Sequence, residues 1–450
     1  MIETGKLIEQ AARNRGWKVF IVGGFVRDSI LGKESKDLDV EICGPTEEEL
    51  ERFLSQFGEV NAEGKSFVAF KLRIDGVDLD VSLPRTESKT GKGHKGFVVQ
   101  PDSMLTPKEA SVRRDFTFNA MMMTLPQCEI LDFFGGQEHL KAKRLIHTSS
   151  AFADDPLRVM RGMQFCGRFD LTAEQETVNL CKELLPEFET LATERLWIEW
   201  EKWAAKSTNP SRGLVFLLRT GWVAKFPEIA GIIGVKQGGK HHPEGSVWQH
   251  TKLVVDQAAR IAKREGLSRE DTVVLVLSAL CHDLGKAVVS IVQSEEIVNS
   301  NGHAAASEIL ARSFLESIGA PKEIVKKVCV LVKEHMNKAS TQRAVRRLAS
   351  RLDCVSVRMI ALLIEADSNG RGGNHSGIPQ SAETILRIAQ ELNVQNSKPQ
   401  PILLGRHLLE IGMRPGAKFG VILRAAFEQQ LNGTFNTLEE ARQWLVLFLN

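Results

Sequence analysis

The hydrophobic pattern of this chain changes period once, and that change constrains the fold more than any other feature. Up to about residue 138 the apolar residues come in short branched or aromatic runs, KVFIV, DLDVEIC, FVAFKLRIDG, VDLDVSL and CEILDFF, separated by turn residues. Such runs form the strands of a mostly antiparallel or mixed sheet. PTEEELERFLSQFG interrupts them as a helix, with Thr46 as cap, Glu49 three residues on, and an apolar stripe of Leu50, Phe53, Leu54 and Phe57. From about Ala151 the repeat becomes 3.6 in DPLRVMRGMQFCGRF, AEQETVNLCKELLPEF and SRGLVFLLRTGWVAKF. The fold class is therefore α+β, an N-terminal sheet domain followed by all-helical domains.

A chain of 450 residues exceeds what one hydrophobic core sustains. We expect a sheet (head) domain over 1–140, a helical (neck) region over 141–235, a second helical domain over 246–370 and a helical tail over 380–450. VKQGGKHHPEGS (Val235–Ser246) is the expected linker, and SNGRGGNHSGIPQ a Gly-rich break before the tail. Net charge is only +2, so any polyanion would be held by local basic patches. Polar first residues and the lack of an 18-residue apolar run lead us to expect a cytoplasmic protein without a membrane span. Seven dispersed cysteines with no CxxC pair read as reduced thiols.

Strand alternation puts Asp37 and Asp39 on one face while Leu38 and Val40 point inward. Two carboxylates at a sheet edge repel unless a divalent cation with oxygen ligands, most naturally Mg²⁺, lies between them. Gly23 and Gly24, between KVFIV and the helix FVRDSIL, leave room for a phosphate to approach the backbone. Metal acids beside such a turn suggest phosphoryl or nucleotidyl transfer; a charged turn beside an ordinary surface strand is the plainer alternative. Asp78 and Asp80 form a second period-2 pair, and either could complete the metal site or hold the framework. The loop RTESKTGKGHKGF adds Arg85, Lys89, Lys92 and Lys95 against Glu87, a charge suited to triphosphate or a nucleic-acid backbone. In RRDFTFNAM, Arg113 and Arg114 could pair with phosphate and Asp115 accept from a ribose hydroxyl, or an Arg–Asp pair could anchor a helix end. In DDPLRVMR, Asp155 and Arg158 lie three apart on one helix face, either reading a base edge or forming a salt bridge behind Pro156.

GGFVRD with KDLDVEICG resembles the nucleotidyltransferase signature of the DNA polymerase beta superfamily. RRDFTFNAM, DDPLRVMRGMQFCGRF and TERLWIEWEK narrow the resemblance to class II tRNA nucleotidyltransferases, the CCA-adding enzymes and their poly(A) polymerase relatives. The resemblance implies that Asp37 and Asp39 hold catalytic Mg²⁺, with Asp80 a supporting acid where relatives often carry Glu. It implies nucleotide contacts from Gly24, Arg27, Arg113, Asp115, Asp155, Arg158 and Arg161. Asp154 stands where the family usually has Glu.

The second helical domain carries His250, His282, Asp283, His303, His335 and Asp367, dispersed among apolar helices and costly to bury without a metal or strong hydrogen bonds. This set resembles the HD metal-dependent phosphohydrolases, appended to one bacterial subgroup of CCA-adding enzymes. The resemblance assigns His250, His282, Asp283 and Asp367 to a divalent metal of unknown identity and His303 and His335 to a possible second one. It implies phosphatase or 2′,3′-cyclic phosphodiesterase action. Arg343, Arg346, Arg347, Arg351 and Arg358, set against Asp353, are either a solvated helix face or a contact for tRNA phosphates.

Together these resemblances imply CCA addition to the tRNA 3′ end from CTP and ATP, with no obligate protein partner. The alternatives are a CC- or A-adding enzyme or a poly(A) polymerase and, from another class, a chain that is chiefly an HD phosphohydrolase.

Overall fold

The computed structural model describes residues 1–35, 37–62, 69–89, 97–238, 242–292, 298–371 and 377–449. The chain forms two compact units, Met1–Lys225 and Phe226–Asn450.

In the first unit, helix α1 (Ile2–Arg13) leads into β1 (Lys18–Val22), α2 (Gly24–Ile30), β2 (Leu38–Cys43) and α3 (Glu47–Leu54). Strands β3 (Val60–Ala62), β4 (Ala69–Ile74) and β5 (Val77–Ser82) follow, then the hairpin β6 (Arg85–Lys89) and β7 (Phe97–Pro101). After α4 (Pro107–Val112) come β8 (Met122–Thr124) and β9 (Ile130–Leu131). Seven of these strands make one sheet in the order β3-β4-β5-β2-β1-β8-β9. The β2–β5 pairing is parallel and the others are antiparallel, so the sheet is mixed. Leu38 and Val40 are fully buried, as alternation requires. Helix α3 has the expected capping box, Thr46 accepting from the Glu49 N–H while Glu49 accepts from the Thr46 N–H.

The helical remainder of this unit comprises α5 (Gly136–Lys141), α6 (Leu157–Phe169), α7 (Gln175–Glu183), α8 (Thr193–Lys206) and α9 (Pro210–Thr220). Helix α6 packs on α8 and α9. Its Phe165 meets Phe116 and Phe118 edge-on at 5.8 and 5.4 Å, which fixes α6 against the segment that follows α4. Burying each such ring is worth roughly 2 kcal/mol.

The second unit begins with α10 (Pro227–Ala230) and continues through α11 (Val247–Arg264), α12 (Arg269–Cys281), α13 (Lys286–Val289), α14 (His303–Ser317), α15 (Lys322–Glu334), α16 (Gln342–Leu352) and α17 (Val357–Asn369). The stretch Arg269–Val289 is long and apolar enough for a membrane span, but most of it is buried, α12 packing on α11, α15 and α17. The tail consists of α18 (Gln380–Glu391), α19 (Gly405–Glu410), α20 (Ala417–Asn432) and α21 (Leu438–Leu449), with a small core around Leu408, Ile422, Phe435 and Leu445. Three of the α16 arginines lie in contacts between elements: Arg347 donates to Glu428 and Asn432, Arg346 to Asn436 and Arg351 to Glu334. Of the expected linker, residues 239–241 lie outside the described residues. Its described ends pair, Lys236 bridging Ser246 and the Val247 N–H donating to the Val235 carbonyl.

Candidate active site and metal centre

The first site is a cavity of about 980 Å³ in the first unit, lined by the Gly23–Gly24 turn, by Asp37, Asp39 and Asp80, and by an arginine-rich wall. Strand pairing builds its acid side. Val22 at the end of β1 is the register partner of Asp39, which places Gly23 against that carboxylate. Gly23 has φ +69°, and a Cβ there would stand 3.0 Å from Asp39 Oδ2, so glycine is required on both counts. Asp80 is Asp39's register partner on the parallel strand β5. Asp78, the other candidate from that pair, faces Arg73 at 3.4 Å and does not line the cavity.

The rest of the wall comes from the segment after α4, the start of α6 and α8. Asp115 is 7% exposed and accepts from the Phe116 N–H, from Asn119 Nδ2 at 3.0 Å and from Arg161 Nε at 2.7 Å. Burial pushes the Asp115 carboxyl up, but the Arg161 charge and these hydrogen bonds outweigh it and hold it below the ordinary value. Arg27 is 4% exposed and spans Asp28 at 2.8 Å and Asn119 at 2.7 Å, with its guanidinium over Phe169. It lines the cavity beside the Gly23–Gly24 turn.

Asp155 departs from the sequence expectation. Helix α6 begins only at Leu157, and Asp155 has φ −122° and ψ 104°, outside the helix. The cause is Pro156, whose ring disfavours helical backbone in the residue before it. Asp155 and Arg158 therefore do not share a helix face, although both line the cavity with Asp154. Asp155 Oδ2 accepts from Arg195 Nη2 at 2.8 Å, and Arg158 Nη1 donates to the Ala151 carbonyl at 2.6 Å. Arg195 and Lys202, both within TERLWIEWEK, line the cavity without having been singled out from sequence. Of the basic loop, Arg85 lines the cavity, while residues 90–96 lie outside the described residues.

The second site lies within the second unit and joins all six expected residues. His250 Nε2 is 3.0 Å from Asp367 Oδ1 and 3.3 Å from His282 Nε2, while His303 Nε2 is 3.2 Å from His335 Nε2. Asp283 lies between the two groups. Its Oδ2 is 3.3 Å from His282 Nε2, and its Oδ1 is 3.4 Å from His303 Nε2. The four Nδ1 atoms face the carbonyl oxygens of Gly370, Ala279, Ser300 and Val332. A carbonyl only accepts, so in the neutral rings each Nδ1 carries the proton and each Nε2 a lone pair. At His303 and His335, lone pairs 3.2 Å apart repel, and a metal cation between them removes the repulsion. Burial and then the neighbouring His282 push His335 down to about 4, keeping it a neutral ligand near pH 7. The donor set thus fits one ion at His250, His282 and Asp367, with Asp283 Oδ2 3.3 Å from His282 Nε2, and another at Asp283, His303 and His335, the ligand atoms of each of these two triads lying within 4.8 Å of one another.

Three residues around this cluster were not anticipated individually. Glu244 Oε1 lies 2.8 Å from His242 Nδ1 and 2.9 Å from His250 Nδ1, bracing a ligand from behind. Lys286 Nζ reaches Asp283 Oδ2 at 2.7 Å. Two of the three, His242 and Glu244, fall in the segment whose Gly- and His-rich composition reads as a linker.

A sheet domain with an acid row facing arginines, followed by helical domains with a histidine–aspartate metal cluster, defines a nucleotidyltransferase carrying an HD domain. The Poly A polymerase head domain matches residues 19–146 and the HD domain residues 247–363. The multifunctional CCA protein of Xanthomonas oryzae pv. oryzae is 34% identical over 381 residues, covering 81% of this chain and 88% of its own length. That of Pasteurella multocida is 34% identical over 397 residues, covering 84% and 91%. The chain belongs to the multifunctional CCA protein family. Among solved structures, the Bacillus stearothermophilus CCA-adding enzyme in complex with CTP aligns over 99% of this chain and 96% of its own, with a TM-score of 0.69 and 20% identity. The Thermotoga maritima CCA-adding enzyme complexed with tRNA_CCA aligns over 100% and 95%, with a TM-score of 0.58 and 19% identity. These likenesses establish the fold. The head and HD domains together imply use of divalent metal.

Proposed function

We propose that this chain adds CCA to the 3′ end of tRNA in the cytoplasm, consuming CTP and ATP and releasing pyrophosphate. The observation that carries the reading is the convergence on one cavity of Asp37, Asp39 and Asp80, four arginines (Arg113, Arg114, Arg158 and Arg161) and the Asp154–Asp155 segment. Mg²⁺ held by Asp37 and Asp39, with Asp80 alongside, would activate the terminal ribose hydroxyl and neutralise charge at the α-phosphate. The open backbone at Gly23 and Gly24 admits the phosphates, and Arg113 and Arg114 meet their oxygens. Asp115, fixed by Asn119 and Arg161, accepts from a ribose hydroxyl. Cytosine and adenine share an exocyclic amino group beside a ring nitrogen acceptor. Asp155 accepts from that amino group and Arg158 donates to the nitrogen, a pairing that uracil, with a carbonyl in place of the amino group, cannot satisfy.

For the second unit we infer a metal-dependent phosphohydrolase centre. There Lys286 and Arg371 line a cavity of about 710 Å³ beside the cluster and supply positive charge for a phosphoester.

The deciding experiment incubates the protein with CCA-less tRNA, Mg²⁺ and labelled CTP and ATP, and sequences the 3′ ends. Complete CCA ends support the reading, whereas ends that stop at CC, gain only A, or run on as poly(A) replace it. Hydrolysis of a 2′,3′-cyclic nucleotide, lost in His282→Ala and kept in Asp39→Ala, tests the second centre.

A further inference from the structure

Glu41 takes no part in the chemistry above, yet its position ties it to the cavity. It follows Asp37 and Asp39 in the same period-2 row of β2, and its side chain is 0% exposed. Its Oε2 accepts from Arg113 Nη2 at 3.2 Å and lies 3.5 Å from Arg114 Nη2, while Oε1 makes no hydrogen bond among the described residues. A carboxylate in the middle of a sheet is costly unless compensated, and the two guanidinium groups supply the compensation. Both arginines also line the nucleotide cavity. Arg114 reaches further, since its Nη1 lies 3.5 Å and Asp39 Oδ2 3.0 Å from the place a Cβ on Gly23 would occupy. It therefore pairs with Glu41 and flanks the Gly23 turn together with Asp39.

We propose that Glu41 is a positioning residue, anchoring Arg113 and Arg114 so that their forks face triphosphate oxygens and do not collapse onto Asp39. The proposal rests on the reading of this cavity as a nucleoside triphosphate site. An amide at position 41 keeps the volume but loses the charge, and its NH₂ group has no acceptor to offer a guanidinium. The amide oxygen can still accept one hydrogen bond, but without the negative charge the arginines are held less firmly, and Asp39 becomes the competing partner.

The test is equilibrium binding of CTP to the full chain in EDTA, so that no metal or turnover contributes. Glu41→Gln, Arg114→Gln and the double variant are compared with wild type, and near-UV circular dichroism and melting are recorded for each. We expect Glu41→Gln to weaken CTP about 10-fold while folded, the scale of coupling within one ion-pair network. The double variant should fall well short of the product of the single effects, because Glu41 acts through the arginines; a purely structural role would leave the effects multiplicative. If Glu41→Gln does not fold, Glu41→Asp, which keeps the charge but withdraws it by a methylene, should bind CTP more weakly than wild type. A folded Glu41→Gln or Glu41→Asp protein that binds CTP as wild type does, or effects that multiply, overturns the proposal alone. Wild type that binds no CTP overturns the reading of the cavity and the proposal with it.

Discussion

Asp39 on β2 and Asp80 on β5 are direct register partners across the one parallel ladder of the head sheet. Burial pushes the Asp39 carboxyl up, Arg114 pulls it down, and the Asp80 and Asp37 charges push it up again, for a net upward direction. A divalent cation relieves that repulsion. We therefore expect Asp39→Ala to lower CTP incorporation into CCA-less tRNA by roughly 10³-fold, the upper range for one preorganised electrostatic group. Asp80→Asn should lower it by roughly 10- to 100-fold. Phosphoester hydrolysis by the second unit should be unchanged in both, and a loss there would count against two separable centres.

Arg195 holds Asp155 at 2.8 Å, and we read this contact as fixing the carboxylate that selects the base. Arg195→Leu should cost discrimination more than speed. The ratio of CTP to UTP incorporation should fall by roughly 10- to 100-fold, the scale of one lost bidentate contact. An unchanged ratio with uniformly slower addition would make Arg195 a packing residue only.

Asp283 belongs to the triad of His303 and His335, and its second oxygen lies 3.3 Å from His282 Nε2 of the other triad, whereas His303 lies in one triad only. Metal analysis of purified protein should show two ions per chain in wild type, about one in His303→Ala and none in Asp283→Asn. Nucleotide addition should persist in all three. Retention of one ion by Asp283→Asn would show that the carboxylate serves a single metal.

The Asp115–Arg161 pair sets an acid-side limit on stability. The Asp115 carboxyl lies below its ordinary value in the folded protein, with burial opposing and Arg161 leading the terms that lower it. Its contribution is therefore complete above the ordinary carboxylate pKa and is lost as pH falls through the lower folded value. Asp115→Asn should cost about 2 kcal/mol near pH 7, the scale of a hydrogen bond to a charged group, and the difference from wild type should shrink towards low pH. Calorimetric melting at a series of pH values checks both, and a pH-independent difference would contradict the assignment.

How much of this was legible beforehand depends on the range of the cause. The capping box of α3 and the burial of Leu38 and Val40 follow from neighbours a few residues apart, and both are found as expected. Asp155 was placed on a helix because a spacing of three invites it, although Pro156 in the same sequence already argued against that placement. Glu41 shares the alternation that drew attention to Asp37 and Asp39, but nothing local announces that its partners are 72 residues or more away. Nothing in the composition of its segment singles out Glu244, since composition carries no information about which buried imidazole a carboxylate meets.

By itself the sequence determined the change from sheet to helices, the acid row of β2, the presence of an HD-type histidine set and the family to which they belong. Backbone geometry acting over two to four residues is enough to write the period change and the acid row, while the histidine set and the family are carried by the resemblance of motifs. Only the tertiary structure decided which imidazoles face each other across 32 residues, that His250 meets Asp367 across 117, and that Asp283 is shared between them. Those pairings are made by the packing of α11, α12, α14, α15 and α17, and packing depends on all the side chains in a core at once.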